Sequence, residues 1–257
     1  MLLIALIPII ICLWVALKKR LSFLGSVQLA CLGFALYVLI VLGSLYLSTG
    51  KDVVTVYLEM MKQTLQQNEA LTMSMYAAIQ SVNGAAVNAQ ISMNDAINQV
   101  VFPYFSQIFV YSIPAFFAAF IPIGGLLSFL IVRAIVKKAG GKVTHVPAFA
   151  DFKLPEKFGR WSLIILIVCW IGQMAGWRNF DFVLTISFAF FGSIYFVLGM
   201  AFLEWAMKKQ IKSAAGRGAI IALLAIIFFS FYIFTFIGIF EQIAKIRQRS
   251  KINKVGL

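Results

Sequence analysis

Long apolar runs separated by short polar segments dominate the pattern along this chain. A run of about 20 apolar residues can cross the hydrocarbon core of a bilayer as a helix. Six runs approach this length, and they predict six transmembrane helices at residues 2–17, 22–48, 101–136, 161–177, 182–207 and 218–242. The first run is short and the second follows almost at once, so we expect these two helices to form a tight hairpin.

The third run is longer than a simple span requires. As one helix, residues 101–136 would extend roughly 54 Å, well beyond a hydrocarbon core of about 30 Å. Proline disrupts a helix interior, so Pro103, Pro114 and Pro122 predict an interrupted, kinked helix that projects from the membrane. The interruption is interpreted either as a packing kink or as a broken helix at a binding site.

A polar insert separates the second run from the third. Apolar residues recur at helical spacing from Val53 to Val82, which predicts one long amphipathic helix, and the pattern resumes near Ile91 after a break at Asn83 and Gly84. Acidic residues outnumber lysines here, which favours an extracytoplasmic position for the insert. The predicted domains are therefore a hairpin (1–49), the insert (50–100) and a four-span domain (101–257).

Lysine and arginine set the predicted orientation, because they are retained on the cytoplasmic side of membrane proteins. Basic residues crowd the loops after the first, third and fifth runs, which places those loops inside. Six spans then leave the basic C-terminal tail outside, on the wrong side. Either the tail is an exception, or one apolar run does not cross fully, and the short first and fourth runs are the weakest candidates for a crossing.

Composition agrees with an all-α polytopic membrane protein. Hydrophobic residues make up 62% of the chain and charged residues 12%, whereas a soluble domain is roughly half apolar and a quarter charged. The formal charge of +13 is also compatible with nucleic-acid binding. Apolar runs that need lipid favour the bilayer as the partner instead, and no nucleic acid is expected.

Catalytic and metal-binding patterns are weak. His145 is the single histidine, and Gly140-Gly141-Lys142 lacks the spacing of a phosphate-binding loop, so neither an enzyme nor a cofactor is expected. Five of the nine methionines lie in the insert. They would suit a soft metal ion, but without neighbouring cysteine or histidine they are interpreted as adaptable apolar filler, and no metal is predicted.

Polar residues at the ends of the spans are the remaining candidates for a ligand site. Arg178, Asn179 and Asp181 form a polar turn between the fourth and fifth runs, and Glu241 lies near the end of the sixth. Charge near membrane depth is costly and often functional, so these four residues are the predicted ligand-binding set. Glu204 is explained more simply by an ion pair with Lys208, four residues later.

A set of short motifs runs from about Tyr104 to the end of the sequence: Arg133 with Lys137-Lys138-Ala139-Gly140, Val146-Pro147-Ala148-Phe149, Lys153-Leu154-Pro155, Asn179, Gly192, Gly238-Ile239-Phe240-Glu241, Arg247 and Arg249. In these motifs the chain resembles the YybS-like family of bacterial integral membrane proteins, a domain of unknown function. Glu241 stands where the family usually has aspartate, and Phe191 where it often has glutamine. The resemblance implies a multi-pass protein of the bacterial cell membrane.

Two functions are compatible with this sequence. The YybS-like family is similar in its N-terminal hairpins to substrate-binding subunits of energy-coupling-factor vitamin transporters, which implies a small-molecule binding subunit with separate ATPase partners. The alternative is a non-transporting scaffold of the cell envelope that binds other membrane proteins through the insert and the basic loops.

Overall fold

The computed structural model describes residues 6–82, 91–208, 210–227 and 231–247, which form helices and no strands. The all-α prediction is thus confirmed for this part of the chain. The helices are α1 (Ile7–Lys18), α2 (Phe23–Thr49), α3 (Val53–Gln67), α4 (Glu69–Val82), α5 (Met93–Lys138), α6 (Glu156–Met174), α7 (Phe180–Met207), α8 (Ala214–Ile227) and α9 (Phe231–Ala244). A single 3₁₀ turn, Phe149–Asp151, precedes α6.

Four of these helices, α2, α5, α6 and α7, are long and apolar enough to cross a membrane. They expose many large apolar side chains, and on α6 these include Trp161, Ile167 and Trp170. Such a surface is stable only in an apolar surrounding, so lipid contacts these helices. Trp161 and Trp177 lie near opposite ends of α6, where tryptophan commonly meets the two membrane interfaces.

Three shorter apolar helices accompany them. Helix α1 has 12 residues, whereas α8 and α9 have 14 each. At 1.5 Å per residue these lengths are about 18–21 Å, less than a hydrocarbon core of about 30 Å. The apolar runs found in the sequence therefore fall into two length classes among the described helices.

The chain divides into two compact units. The major unit comprises Met1–Tyr37 and Ala115–Leu257, and the minor unit comprises Val38–Pro114. Helices α2 and α5 each contribute residues to both units.

The minor unit contains α3 and α4, where the sequence predicted one long helix. Asn68 leaves the helical conformation, and its side chain accepts a hydrogen bond from the Leu71 amide at 3.0 Å. The Thr72 hydroxyl donates to the Leu65 carbonyl at 2.8 Å across the same break. The prediction of one helix was wrong because Asn68 caps a new helix. The predicted break at Asn83 and Gly84 lies outside the described residues.

The minor unit has an apolar core, and partly buried methionines pack around it. Leu65, Tyr76, Ile79, Ala96, Ile97 and Val101 are buried together. Met61, Met73, Met75 and Met93 pack against this cluster, as expected for adaptable filler. Ala96–Val101 is π-helical, and three of its residues belong to the core.

Helix α5 continues through its prolines. From Phe102 to Lys138 it is one α-helix, although Pro114 and Pro122 lie in its interior. The α-helix is therefore continuous here, so the alternative of a broken helix at a binding site was wrong, whereas the kink stays a prediction. Within the major unit, Gly125 instead allows close contact with α2, since a Cβ at that position would lie 2.6 Å from the Cα of Cys31.

Helices α7 and α9 make the tightest contact in the major unit. A Cβ at Gly199 would collide with the Phe234 carbonyl oxygen, and one at Gly238 with the Tyr195 carbonyl oxygen. The Thr235 hydroxyl donates to the Gly192 carbonyl at 3.1 Å. These two helices therefore pack backbone against backbone.

The loops of the major unit that carry most basic residues meet at one end, which we call the basic end. The Thr144 hydroxyl donates to the Leu21 carbonyl at 3.1 Å, joining the loop after α1 to the loop after α5. Arg247, beyond α9, donates to the Ala150 carbonyl at 3.0 Å. The beginning of α6 lies here too, because Lys245 forms an ion pair with Glu156 at 2.6 Å.

Candidate functional site

An apolar groove of about 390 Å³ lies within the major unit. Its walls come from α2, α5, α6 and α7, and the segment Phe152–Pro155 forms the wall nearest the basic end. The large apolar side chains that line it include Leu24, Ile121, Phe152, Phe158, Phe190 and Ile194. The volume falls within the range of small-molecule binding sites, roughly 300–1,000 Å³.

Three polar side chains interrupt this lining. Ser193 donates to the Phe190 carbonyl at 2.8 Å, and the Cys31 thiol donates weakly to the Pro122 carbonyl at 3.8 Å. The Gln28 amide makes no side-chain hydrogen bond to the described residues. Gln28 can therefore supply both a donor and an acceptor to a molecule in the groove.

Helix α7 separates the groove from α9. Its residues Ser193 and Val197 line the groove. The backbone of Tyr195 and of Gly199 contacts α9 instead. The buried Tyr195 hydroxyl also lies 2.7 Å from the Ser162 hydroxyl of α6. The groove thus has a firmly packed wall on its α7 side.

A buried ion pair lies beside the loop that lines the groove. Arg247 Nε donates to Glu241 Oε1 at 2.7 Å, and both side chains are 5% exposed or less. Arg247 also donates to the Ala150 carbonyl, two residues before Phe152, and its guanidinium lies 6.0 Å from the centre of the Phe202 ring. Arg247 consequently joins the end of α9 to the segment that forms one wall of the groove.

Glu241 is not fully satisfied by this pair. Its second oxygen, Oε2, is buried without a hydrogen-bond partner among the described residues. A cavity of about 20 Å³ adjoins it, also lined by Lys153, Leu198 and Lys245. This volume is about what one water molecule needs, and a water there would satisfy Oε2.

A second buried pair lies at the end of α7. Arg217 of α8 approaches Glu204 at 3.6 Å, and Arg217 Nη1 donates to the Ile211 carbonyl at 2.7 Å. The sequence predicted Lys208 as the partner of Glu204. Arg217 takes that place because α8 folds back beside the end of α7.

The predicted ligand residues fall at two distant places. Arg178 and Asn179 are exposed in the turn before α7, Asn179 with a positive φ of 64°, and Asp181 is half-buried in the first helical turn. They line neither the groove nor the cavity beside Glu241. Glu241 lies near Leu198, about 27 Å along α7 from Phe180 at 1.5 Å per residue.

The sequence analysis did not predict the groove, and it did not place Arg247 among the candidate site residues. Gln28, inside a span, was the one available signal for the groove. Among the described residues, no cluster of three or more histidine, cysteine or acidic side chains has the arrangement of a metal site.

Long apolar helices, a lipid-exposed surface and tightly packed glycine contacts define a helical membrane protein. Residues 1–241 match the family described as "Predicted membrane protein (DUF2232)", so the chain belongs to that family. No curated protein matches the chain, and no solved structure does so either.

Proposed function

We propose that this protein is the substrate-binding subunit of a transporter in the bacterial cell membrane, and that it binds an apolar small molecule in the groove. The observation that carries the proposal is the groove itself, an apolar space of about 390 Å³ lined by Gln28, whose amide makes no side-chain hydrogen bond to the described part of the chain. Binding sites for small molecules commonly combine an apolar lining with a few polar groups that fix orientation.

The position of the groove also supports an apolar ligand. Its walls are segments of α2, α5, α6 and α7, the four helices long and apolar enough to cross a membrane, which suits a lipophilic ligand. Arg178, Asn179 and Asp181 line neither this groove nor the cavity beside Glu241. The groove is therefore the better candidate, and Gln28 is the proposed polar contact.

The family resemblance supports the transport role. YybS-like proteins are similar to substrate-binding subunits of energy-coupling-factor transporters, and such subunits work with separate ATPase partners. The basic end would supply the docking surface, since Lys137, Lys138 and Lys142 are exposed there. Co-purification from native membranes tests this part, and repeated recovery without an ATPase subunit would refute it.

The groove is tested by photolabelling with a fatty acid that carries a diazirine in its chain. In reconstituted membranes we expect labelled peptides from α2 and α7 to be enriched over those from the lipid-facing side of α6. Ala35→Phe fills the groove and should abolish the enrichment, whereas Ala134→Phe, at an exposed position of α5, should leave it unchanged. Equal labelling of both variants would refute binding in the groove.

A scaffold that binds other membrane proteins is the second candidate. It is supported by α3 of the minor unit, which exposes Tyr57 and Met60 to more than half of their surface. A photo-crosslinking amino acid at position 57 should capture a specific partner if this function is correct. The same residue at Gln66, also exposed on α3, serves as the control position.

A further inference from the structure

We propose that α8 and α9 form a re-entrant hairpin, which enters the membrane at the basic end and leaves it there. The basic residues after α9 then lie on the same side of the membrane as the three basic loops. This inference concerns the path of the chain and is independent of what the groove binds.

The hairpin begins at the basic end. Helix α8 starts seven residues after α7 ends, and Arg217 in its first turn pairs with Glu204 in the last turn of α7. Both side chains are mostly buried, at 9% and 17% exposure, so this contact fixes the start of α8 beside the end of α7.

The hairpin also ends at the basic end. Lys245 pairs with Glu156 at the start of α6, and Arg247 pairs with Glu241 while donating to Ala150 in the loop before α6. Lys245 and Arg247 both follow the end of α9, and their partners Glu156 and Ala150 belong to the start of α6 and to the loop before it. The chain therefore returns to the end of the major unit at which α8 began.

Contacts along α7 give the direction of α9. Tyr232 near its start stacks on Phe188, with ring centres 5.9 Å apart. Thr235 then bonds to Gly192, and Arg247 after its end lies over Phe202. Residue numbers thus rise together on both helices, so α9 runs parallel to α7 and returns toward the basic end.

Helix length shows how deep the hairpin reaches. Helices α8 and α9 are each about 21 Å long, too short to cross a core of about 30 Å. Three residues separate Ile227 from Phe231, so these residues lie within about 15 Å of each other at 3.8 Å per Cα step. Helix α8 therefore runs antiparallel to α9, and the proposed hairpin turns back within the membrane.

The distribution of charge is explained by this path. With the tail on the side of the basic loops, all lysines and arginines of the major unit except Arg178 share one side. This is the distribution that the retention of positive charge on the cytoplasmic side requires. A sixth full crossing would place the basic residues that follow α9 on the opposite side of the membrane from the other basic loops. These residues are Lys245, Arg247, Arg249, Lys251 and Lys254.

Cysteine accessibility tests the proposal in the full chain. Cys12, Cys31 and Cys169 are first replaced by alanine, and single cysteines are then introduced as Lys142→Cys in the basic loop, as Arg178→Cys in the opposite turn, or after Leu257. Intact cells are treated with a membrane-impermeant maleimide, before and after permeabilisation. We expect the C-terminal cysteine to react under the same condition as Lys142→Cys and the opposite condition to Arg178→Cys.

The comparison is decisive in both directions. If the C-terminal cysteine reacts together with Arg178→Cys, α8 and α9 cross the membrane and the proposal is overturned. Ser213→Cys, exposed between α7 and α8, provides the matched control because both topologies place it with Lys142→Cys. If the whole chain is inserted in the reverse orientation, Lys142→Cys and Arg178→Cys exchange the conditions under which they react. The C-terminal cysteine should still react together with Lys142→Cys.

Discussion

Removing one partner of the Glu241–Arg247 pair should destabilise the major unit far more than removing both. We consider Arg247→Leu, Glu241→Leu and the double variant. Each single change leaves a charged group buried without its counter-ion, whereas the double change replaces the pair by apolar side chains. Desolvation of an unpaired charge is the physical cause of the difference.

The magnitude follows from the burial of the pair. Its side chains are 2% and 5% exposed, so breaking it should cost about 3–5 kcal/mol for each single variant. Arg247→Leu also removes the bond to Ala150, worth about 1 kcal/mol. In contrast, the double variant should lie within about 2 kcal/mol of the native chain, because apolar replacements of buried ion pairs are often neutral.

Thermal unfolding in detergent, followed by tryptophan fluorescence, measures these differences. A chain of this size loses roughly 2–4 °C of Tm per kcal/mol, so each single variant should unfold at least about 6 °C lower than the native protein. The double variant should recover most of this loss. If a single variant does not fold, recovery of a folded double variant still tests the coupling.

The exposed pair Lys245–Glu156 is the matched control. It also joins a basic and an acidic side chain, and Lys245 lies two residues before Arg247, but the side chains of this pair are 41% and 53% exposed. Lys245→Leu should therefore lower Tm far less than either single variant of the buried pair, because an exposed ion pair contributes little to stability. Additive losses in the Glu241–Arg247 cycle, or an equal loss at Lys245, would refute the assignment of a buried, mutually dependent pair.

Two further predictions concern backbone contacts and a helix cap. Gly238→Ala should destabilise the α7–α9 contact by about 1–3 kcal/mol in the same assay, because its Cβ meets the Tyr195 carbonyl, whereas Gly43→Ala, with nothing within 4 Å, should be neutral or slightly stabilising. Hydrogen bonds from Thr55 lower the pKa of Asp52 at the start of α3, so this cap stabilises the helix above the ordinary aspartate pKa of about 4. That stabilisation should be lost as the pH falls through the lowered value, and Asp52→Ala should cost about 1 kcal/mol at neutral pH, measured as faster amide exchange in α3.

Apolar runs predicted the helices well, because length and hydropathy are local properties of the sequence. For the run at 218–242, hydropathy alone does not predict whether the chain crosses the membrane. Its composition indicates compatibility with lipid, but compatibility with lipid does not require a complete crossing. The described residues of that run belong to two short helices, and contacts at Arg217 and Glu241 place both ends beside the end of α7.

Long-range partners were the part that the sequence could not supply. Lys208 was the expected partner of Glu204 because it lies four residues away on the same helix. Arg217 and Glu204 meet instead because the intervening loop reverses the chain. Likewise, nothing near Arg247 in the sequence indicates Ala150, and the groove exists only after four helices have packed.

The glycine contact between α7 and α9 restricts how the second half of the hairpin can move. Sliding α9 along α7 by one helical turn would replace Gly238 with a larger side chain, such as Phe234 or Gln242, at a position where even a methyl group collides. A one-turn displacement of α9 along its axis is therefore sterically disfavoured unless the two helices first separate at Gly199 and Gly238.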